Sequence, residues 1–207
     1  PNAVIVEKIP VIENSVKNLD QIEIGFIAST FSPWHGLDIL LDEFIKYSEK
    51  NFSKEKIILN LIGKIDSKSK LKSLKINNLT DNLKVIIHGR LEQKEYQKIL
   101  SKCNLGIGSL AMYRTGVKEG ATLKVREMLA MGLPVYSGHV DTALPKDFPF
   151  YKNNEVNLKN IIDFAKSTSS FTPKEIRAAS YPFISKHFWL GKLTEDLKTL
   201  YLNNLSK

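Results

Sequence analysis

The sequence predicts an α/β fold, in which a parallel sheet is flanked by helices on both faces. Short apolar stretches of strand character alternate with longer segments whose apolar residues recur at helical spacing. Strands separated by helical stretches need crossover connections, which favour a parallel sheet covered on both sides. The chain has 207 residues, 43% hydrophobic and 25% charged, which is ordinary for a globular protein with a substantial core.

The predicted elements alternate in βαβαβαβαβ order, with further helices at the end. Strands are predicted from apolar content over residues 22–28, 57–62, 83–88, 105–110 and 135–137. Helices are predicted over residues 36–47, 66–78, 93–102, about 122–131, 157–166, from 173 onward, and 188–201, most of them from apolar periodicity and 66–78 as a polar, lysine-rich, exposed helix. The second strand is continuously apolar, which indicates burial on both of its faces.

The stretch KEGATLKVREMLAMGLPVYSG, residues 118–138, carries the strongest functional pattern. Glu119 and Glu127 bracket a loop that turns into a helix, which ends at Gly132. A helix that begins near residue 122 leaves the amides of residues 120–122 without intrahelical partners, at the positive end of the helix dipole. Such a helix end can hold a phosphate group.

This stretch has two glutamates separated by seven residues and the ending Met-Gly-Leu-Pro-Val, and on these features it resembles the donor-site motif of retaining glycosyltransferases of the GT-B fold, family four. The resemblance implies that Glu119 lies by the transferred sugar as a catalytic residue. It implies that Gly120, Ala121 and Thr122 hold the distal phosphate, and that Glu127 binds the ribose hydroxyls. The family usually has Pro-Phe-Gly after the first glutamate, where this chain has Gly-Ala-Thr. A surface loop and an ordinary amphipathic helix are the alternative interpretation.

The loop at residues 29–36 follows the first strand, where open parallel sheets receive ligands. The family usually carries an arginine and a Lys-Gly pair here, whereas this chain has no arginine and reads His35-Gly36. The Trp-His-Gly sequence resembles a subgroup associated with bacterial surface polysaccharides. His35 is therefore a second catalytic candidate, as a donor to phosphate whose charge depends on pH. Alternatively, it caps the helix while Trp34 packs against the sheet.

Two further cations are candidates for the donor phosphates. Lys64 follows the second strand, and Arg114 lies in the loop before Glu119, with a guanidinium fork that suits phosphate oxygens. The alternatives are a solvated lysine and an exposed loop cation. Lys124, inside the motif helix, is expected to form a helical ion pair with Glu127.

Contacts with the base are predicted at the ends of the second and third strands. The resemblance places Gly63 close to the nucleotide, and Arg90 and Leu91 beside the base. Arg90 has an alternative partner in Glu92 or Glu95, and the sequence favours neither interpretation.

The resemblance covers most of the chain but only one half of a GT-B architecture. Residues 1–20 are interpreted as the remnant of an interdomain linker, and residues 21–186 as the Rossmann-like donor-binding domain. Residues 187–207 are interpreted as a C-terminal helix that crosses toward an N-terminal, acceptor-binding domain. That domain is missing from this sequence and is an expected partner.

The net charge of +8 favours anionic partners: sugar nucleotides, an acidic membrane surface, or nucleic acid. The lysines are dispersed without an aromatic stripe, which argues against a dedicated nucleic-acid site. The single cysteine, Cys103, suits a reducing cytoplasm, with peripheral contact at the inner membrane face as an option. No metal site and no cofactor other than the donor substrate are expected.

The predicted function is transfer of a sugar from a nucleotide diphosphate donor to an acceptor hydroxyl, with retention of configuration, in bacterial polysaccharide or glycolipid synthesis. The alternatives are another GT-B enzyme, such as a sugar-nucleotide epimerase, and a non-catalytic basic module that binds nucleotide or nucleic acid. We expect this chain alone to bind nucleotide weakly and to transfer no sugar.

Overall fold

The computed structural model describes residues 2–13, 19–49 and 55–205. Its strands are Gln21–Thr30 (β1), Lys56–Lys64 (β2), Leu83–Gly89 (β3), Leu105–Ile107 (β4), Val135–Ser137 (β5) and Tyr151–Asn153 (β6). They form one sheet in the order β3-β2-β1-β4-β5-β6, and every pairing is parallel. This arrangement confirms the predicted Rossmann-like α/β fold.

The α-helices are Leu37–Glu49 (α1), Ser67–Leu79 (α2), Gln93–Leu100 (α3), Leu123–Met131 (α4), Leu158–Ser167 (α5), Pro173–Ile184 (α6) and Lys186–Leu205 (α7). Short 3₁₀ turns cover Val6–Lys8, Pro33–His35 and Met112–Thr115. One apolar cluster packs α1, α2 and α5 on one sheet face, and a second packs α3, α4 and α6 on the other. Both faces of the sheet are therefore covered, as its long apolar strands require.

Two strands differ from the prediction. β4 ends at Ile107, because the chain then turns toward the loop after β1, where the amide of Leu110 donates to the carbonyl of His35 at 3.0 Å. β6 was not predicted at all. It has only three residues, and two of them, Lys152 and Asn153, are exposed. Its sequence therefore lacks the apolar content by which the other strands were found.

Gly132 ends α4, as predicted, in a left-handed conformation with φ of 83°. A Cβ at this position would lie 2.2 Å from the carbonyl oxygen of Pro173, the first residue of α6. Glycine therefore serves both the backbone angle and the close contact between the two helices.

The N-terminal segment packs onto this domain. Its apolar side chains Val6, Ile9 and Ile12 are buried in the cluster around α4 and α6. Arg177 of α6 donates to the carbonyls of Val6 and Ile9 at 2.6 and 2.7 Å. The predicted linker, residues 1–20, thus includes a part that contributes to the core, while residues 14–18 lie outside the described residues.

A buried ion pair joins α4 to the segment after β5. The Nη1 and Nη2 atoms of Arg126 donate to the two carboxylate oxygens of Asp141 at 2.7 and 2.6 Å, and both side chains are fully buried. The Nε atom of Arg126 donates to the carbonyl of Asn2 at 3.1 Å, and Asn2 Nδ2 in turn donates to the carbonyl of Ala121. The pair therefore fixes the loop that precedes α4.

We expect Asp141→Ala to lower the free energy of unfolding by about 3–5 kcal/mol, because it leaves the Arg126 guanidinium buried without its counter-charge. Asp38→Ala is the matched control, since Asp38 forms an equally bidentate but exposed pair with Arg114. Asp38→Ala should lower the free energy of unfolding by only about 0–1 kcal/mol. Equal losses from the two substitutions, measured by urea unfolding, would contradict this assignment.

Candidate functional site

The switch point of the sheet lies between β1 and β4. The connection from β1 leads to β2 on one side, and the connection from β4 leads to β5 on the other. Such divergent connections open a crevice at the carboxyl ends of the strands. The segments that follow β1, β4 and β5 meet at this edge, where the amide of Ala111 donates to the carbonyl of Trp34 and that of Gly120 to the carbonyl of Val140.

His35 lies buried in the segment after β1. Its Nδ1 atom accepts a hydrogen bond from the amide of Ser32 at 2.8 Å, and its ring lies 3.7 Å from the ring of Trp34, between centroids. Burial and the neighbouring Lys124 lower the pKa of His35 to about 4. The ring is therefore neutral near pH 7, with its proton on Nε2. His35 caps the short turn Pro33–His35 that contains it, and not helix α1 as the alternative interpretation expected, and it offers a neutral donor and no positive charge.

Glu119 is exposed, and its backbone forms a parallel bridge with Val140. The bridge fixes the main chain of the loop before α4 while the carboxylate faces solvent. The amide of Gly120 donates to the carbonyl of Val140 at 2.9 Å. This amide has no intrahelical partner, as expected, but the bridge to the segment after β5 uses it, so it is not free for the phosphate contact that the resemblance implies.

The N-terminus of α4 is uncapped. Thr122 occupies the N-cap position, yet its hydroxyl makes no capping bond, and its Oγ1 atom is buried without a partner. By contrast, Asp66, Asn157 and Thr172 each accept a hydrogen bond from an amide at the start of their helices. Within the described residues, the amides of 121–123 have no hydrogen-bond partner. These free donors lie at the positive end of the helix dipole.

Lys124 lies in the first turn of α4, and its Nζ atom is buried without a hydrogen-bond partner. Nζ lies 5.5 Å from the ring centroid of Phe26 and 5.9 Å from that of Trp34. Burial lowers the pKa of Lys124 to about 7. The predicted ion pair with Glu127 is absent from the described residues, because the side chain turns toward β1 instead.

Two more unpaired polar atoms lie at the ends of β4 and β5. They are Ser109 Oγ and His139 Nε2, both buried. The Nδ1 atom of His139 contacts the Oγ of Ser137 at 2.8 Å and the carbonyl of Ser109 at 3.1 Å. Burial lowers the pKa of His139, against the opposing effects of the Ser109 carbonyl and the Asp141 carboxylate. Sequence reasoning missed this pair.

Glu127 is held by α3. Tyr96 donates its hydroxyl to Oε1 of Glu127 at 2.9 Å, and Gln97 donates its amide to the same oxygen at 3.1 Å. Burial and the adjacent Glu127 carboxylate raise the pKa of Tyr96, so its hydroxyl keeps the proton that it donates. One carboxylate oxygen is thereby fixed, and Oε2 accepts neither of these bonds.

Arg114 is engaged away from α4. Its Nη1 and Nη2 atoms donate to the two oxygens of Asp38 at 2.9 Å each, and Nη1 also donates to the carbonyl of Pro33. The guanidinium thus ties the loop before Glu119 to the start of α1. Its predicted phosphate contact would require this pair to open.

Lys64 and Gly63 lie at the end of β2. Lys64 is exposed, and its carbonyl accepts from the amide of Phe31 at 2.9 Å. Gly63 has φ of 138°, and a Cβ there would lie 1.7 Å from the carbonyl oxygen of Ala28. Glycine at this position is therefore explained by the close approach of β1 and β2, and its contact with the base stays a prediction.

Arg90 and Leu91 follow β3. Arg90 is exposed and forms no ion pair with Glu92 or Glu95 in the described structure, where those two glutamates cap α3 between themselves. Leu91 and Tyr96, the residue that holds Glu127, both pack against the apolar cluster that contains α4. The contacts of Arg90 and Leu91 with the base stay predictions.

Together, the parallel sheet order and its flanking helices define a Rossmann-like domain, with an uncapped helix start at the switch point of the sheet. The chain belongs to the family described as Glycosyl transferases group 1, whose sequence profile matches residues 21–148. This match confirms the family expected from the two-glutamate motif. A search of curated proteins gives no match.

Solved structures share this fold at low sequence identity. HepE from Anabaena, crystallised with UDP and glucose, is 13% identical with a TM-score of 0.56, over 86% of this chain and 48% of HepE. WaaB, a lipopolysaccharide outer core galactosyltransferase in its apo form, is 11% identical with a TM-score of 0.65, over 96% of this chain and 54% of WaaB. This chain therefore spans about half the length of either protein.

A third match is an isolated domain. The C-terminal domain of LpcC, a group 1 glycosyl transferase from Francisella tularensis, is 16% identical with a TM-score of 0.54, over 84% of this chain and 90% of that domain. The fold is thus that of the C-terminal half of a GT-B protein. Among the described residues, no helix is long and apolar enough to span a membrane.

We expect Lys124→Met to raise the free energy of unfolding by about 1–3 kcal/mol at pH 7 and below, because it removes a buried amine without a counter-charge. The folded pKa of about 7 lies far below the usual lysine value of about 10.4. The loss of folding stability caused by Lys124 is therefore complete below pH 7. It declines as the pH rises from 7 toward the usual lysine pKa of about 10.4.

The control for this prediction is Lys192→Met, because Lys192 also lies over an aromatic ring, that of Trp189, but on α7. Its effect on stability should not vary between pH 6 and pH 9.5. Thermal and urea unfolding at both pH values measure the difference. A Lys124→Met chain that is less stable than the wild type at pH 6 would refute the prediction.

Proposed function

We propose that this chain is the donor-binding half of a retaining glycosyltransferase, which transfers a sugar from a nucleoside diphosphate to an acceptor hydroxyl. The observation that carries the proposal is the uncapped start of α4 at the switch point, with Glu119 before it and Glu127 within it. Membership of the group 1 glycosyl transferases supports the reaction class. The finer assignment, to bacterial polysaccharide or glycolipid synthesis, rests on the Trp-His-Gly sequence at residues 34–36.

In this proposal the phosphates bind at the free amides of Ala121 and Thr122. A sugar-nucleotide donor releases its diphosphate as the bond to the sugar breaks, so negative charge accumulates there. Fixed amides stabilise that charge without having to reorganise, and this is the usual basis of oxyanion stabilisation. The amide of Gly120, bonded to Val140, positions the loop instead.

Glu119 is proposed to contact the transferred sugar. Its backbone is fixed by the bridge to Val140, whereas its side chain is exposed at the edge of the crevice. A carboxylate in that position can accept hydrogen bonds from sugar hydroxyls. His35, neutral near pH 7, is proposed to donate a hydrogen bond from Nε2.

Glu127 is proposed to bind the ribose. Tyr96 and Gln97 hold Oε1, so Oε2 is oriented to accept from a ribose hydroxyl. Arg90 and Leu91 are proposed to face the base. The order along the edge is then sugar, diphosphate, ribose and base, from Glu119 toward β3.

The partner for catalysis is proposed to be an acceptor-binding half. This chain covers about half of HepE and of WaaB. The apolar side chains of α7 include Leu193, Leu197 and Leu200, which are all more than half exposed. A second half packed against α7 would cover them, and the chain alone is expected to transfer no sugar. The positive net charge supports peripheral contact with an anionic membrane.

The test is calorimetric titration of the 207-residue chain with UDP, GDP, ADP and dTDP. We expect Glu127→Gln to weaken the best-bound ribonucleotide about tenfold, since a hydrogen bond to a charged group is worth about 1.5–3 kcal/mol. The loss should be smaller for the 2′-deoxy form of the same nucleotide, which lacks one of the hydroxyls that Glu127 is proposed to bind.

Glu195→Gln, on the exposed surface of α7, is the matched control and should bind as the wild type does. Binding of none of the four nucleotides would refute the donor site. Equal binding by the wild type and Glu127→Gln would refute the ribose role of Glu127. Tighter binding of a DNA or RNA oligonucleotide than of any nucleotide would favour the alternative of a basic nucleic-acid module.

A further inference from the structure

The ammonium of Lys124 occupies an unfavourable position for a cation. Its Nζ atom is buried and unpaired, and it lies in the first turn of α4, where the helix dipole already places positive charge. Burying an ionised group without a partner is costly, and a charge in such a site tends to lose its proton. A residue that breaks these rules is expected to serve a function.

No carboxylate of the described chain neutralises this cation. Burial is the cause of the lowered pKa of Lys124, and no acidic group raises it. The nearest buried carboxylate of the adjoining segment, Asp141, is bonded to both terminal nitrogens of Arg126. The rings of Phe26 and Trp34 provide partial compensation through their negative faces. A full counter-charge for the ammonium form of Lys124 is therefore not supplied by the described chain.

The surroundings of Lys124 are suited to an anion. The unpaired amides of residues 121–123 lie directly before it in the chain, and the hydroxyl of Thr122 is buried without a partner. The other cations nominated by the sequence fit less well, since Arg114 is bonded to Asp38 and Lys64 is exposed at the end of β2.

We propose that Lys124 is the cation that binds the diphosphate of the donor, together with the free amides of Ala121 and Thr122. This inference rests on the proposed function and names a residue that the two-glutamate motif does not include. Lys124 then supplies, from α4, the positive charge that the loop after β1 lacks. When the anion binds, it provides the missing counter-charge, and the ammonium form becomes the stable one.

Binding should therefore be coupled to uptake of a proton. The titratable groups that interact electrostatically with Lys124 are His35, from the segment after β1, and His139, from the segment after β5. Arg126 and Asp141 form a closed pair beside them. A neutral Lys124 gains a proton when the diphosphate arrives, so affinity should fall as the pH rises above 7. The terminal phosphate itself titrates near pH 6, so it is fully charged above about pH 7.5.

The experiment compares the wild-type chain with Lys124→Met and with the control Lys192→Met, in titrations at pH 7.5 and pH 8.5. The probes are the best-bound nucleoside diphosphate and the corresponding nucleoside. We expect Lys124→Met to weaken the diphosphate 10- to 100-fold and to leave the nucleoside unchanged. Wild-type affinity for the diphosphate should fall several-fold between the two pH values, and that of Lys124→Met should not change. Lys192→Met should match the wild type in every titration.

The outcomes separate the two proposals. If no nucleoside diphosphate binds the wild type, the proposed function fails, and this inference fails with it. If the wild type binds and Lys124→Met binds equally well with the same pH dependence, the donor site stands and the role of Lys124 is refuted. If Lys124→Met loses diphosphate and nucleoside alike, Lys124 shapes the site without binding phosphate, which also overturns the inference. Because Lys124→Met is expected to be the more stable chain, unfolding does not explain lost binding.

Discussion

The uncompensated positive potential at the start of α4 is the feature around which this domain is organised. It arises from the free amides before α4 and the helix dipole, and the helix follows β4, at the switch point where β1 and β4 lead to opposite sides of the sheet. The bridge between Glu119 and Val140 fixes the loop before the helix, and the buried pair of Arg126 and Asp141 fixes the helix to the segment after β5. Both contacts fix the backbone around the start of α4, where the amides of residues 121–123 have no hydrogen-bond acceptor among the described residues.

The same potential explains the protonation states around it. His35 and His139 are both buried beside Lys124, and burial and the lysine each lower their pKa values. The edge can therefore hold one positive charge more easily than three, and in the proposal the bound diphosphate stabilises the protonated form of Lys124. In the proposed reaction the diphosphate leaves with negative charge. Fixed amides stabilise such a charge without a water shell that must first rearrange, and this lowers the barrier.

Apolar content and periodicity were sufficient to predict the long strands and most of the helices, whereas α2 was predicted as a polar, lysine-rich, exposed helix. β6 was not predicted, because a three-residue edge strand with two exposed side chains has no apolar pattern. The candidate site was predictable only where its residues lie close together in the chain, as from Glu119 to Glu127. The pair of Arg114 with Asp38 spans 76 residues, and the turn of Lys124 toward Trp34 depends on tertiary packing. Sequence spacing therefore favoured a helical ion pair for Lys124 that did not form.

Assigned backbone and lysine side-chain NMR spectra, recorded while the best-bound nucleoside diphosphate is added, test the central claim most directly. The account predicts large shifts at the amides of Ala121 and Thr122, together with a change of the Lys124 amino group to its ammonium form at pH 8. Shifts confined to Arg114 and Lys64, with the Lys124 signal unmoved, would contradict it.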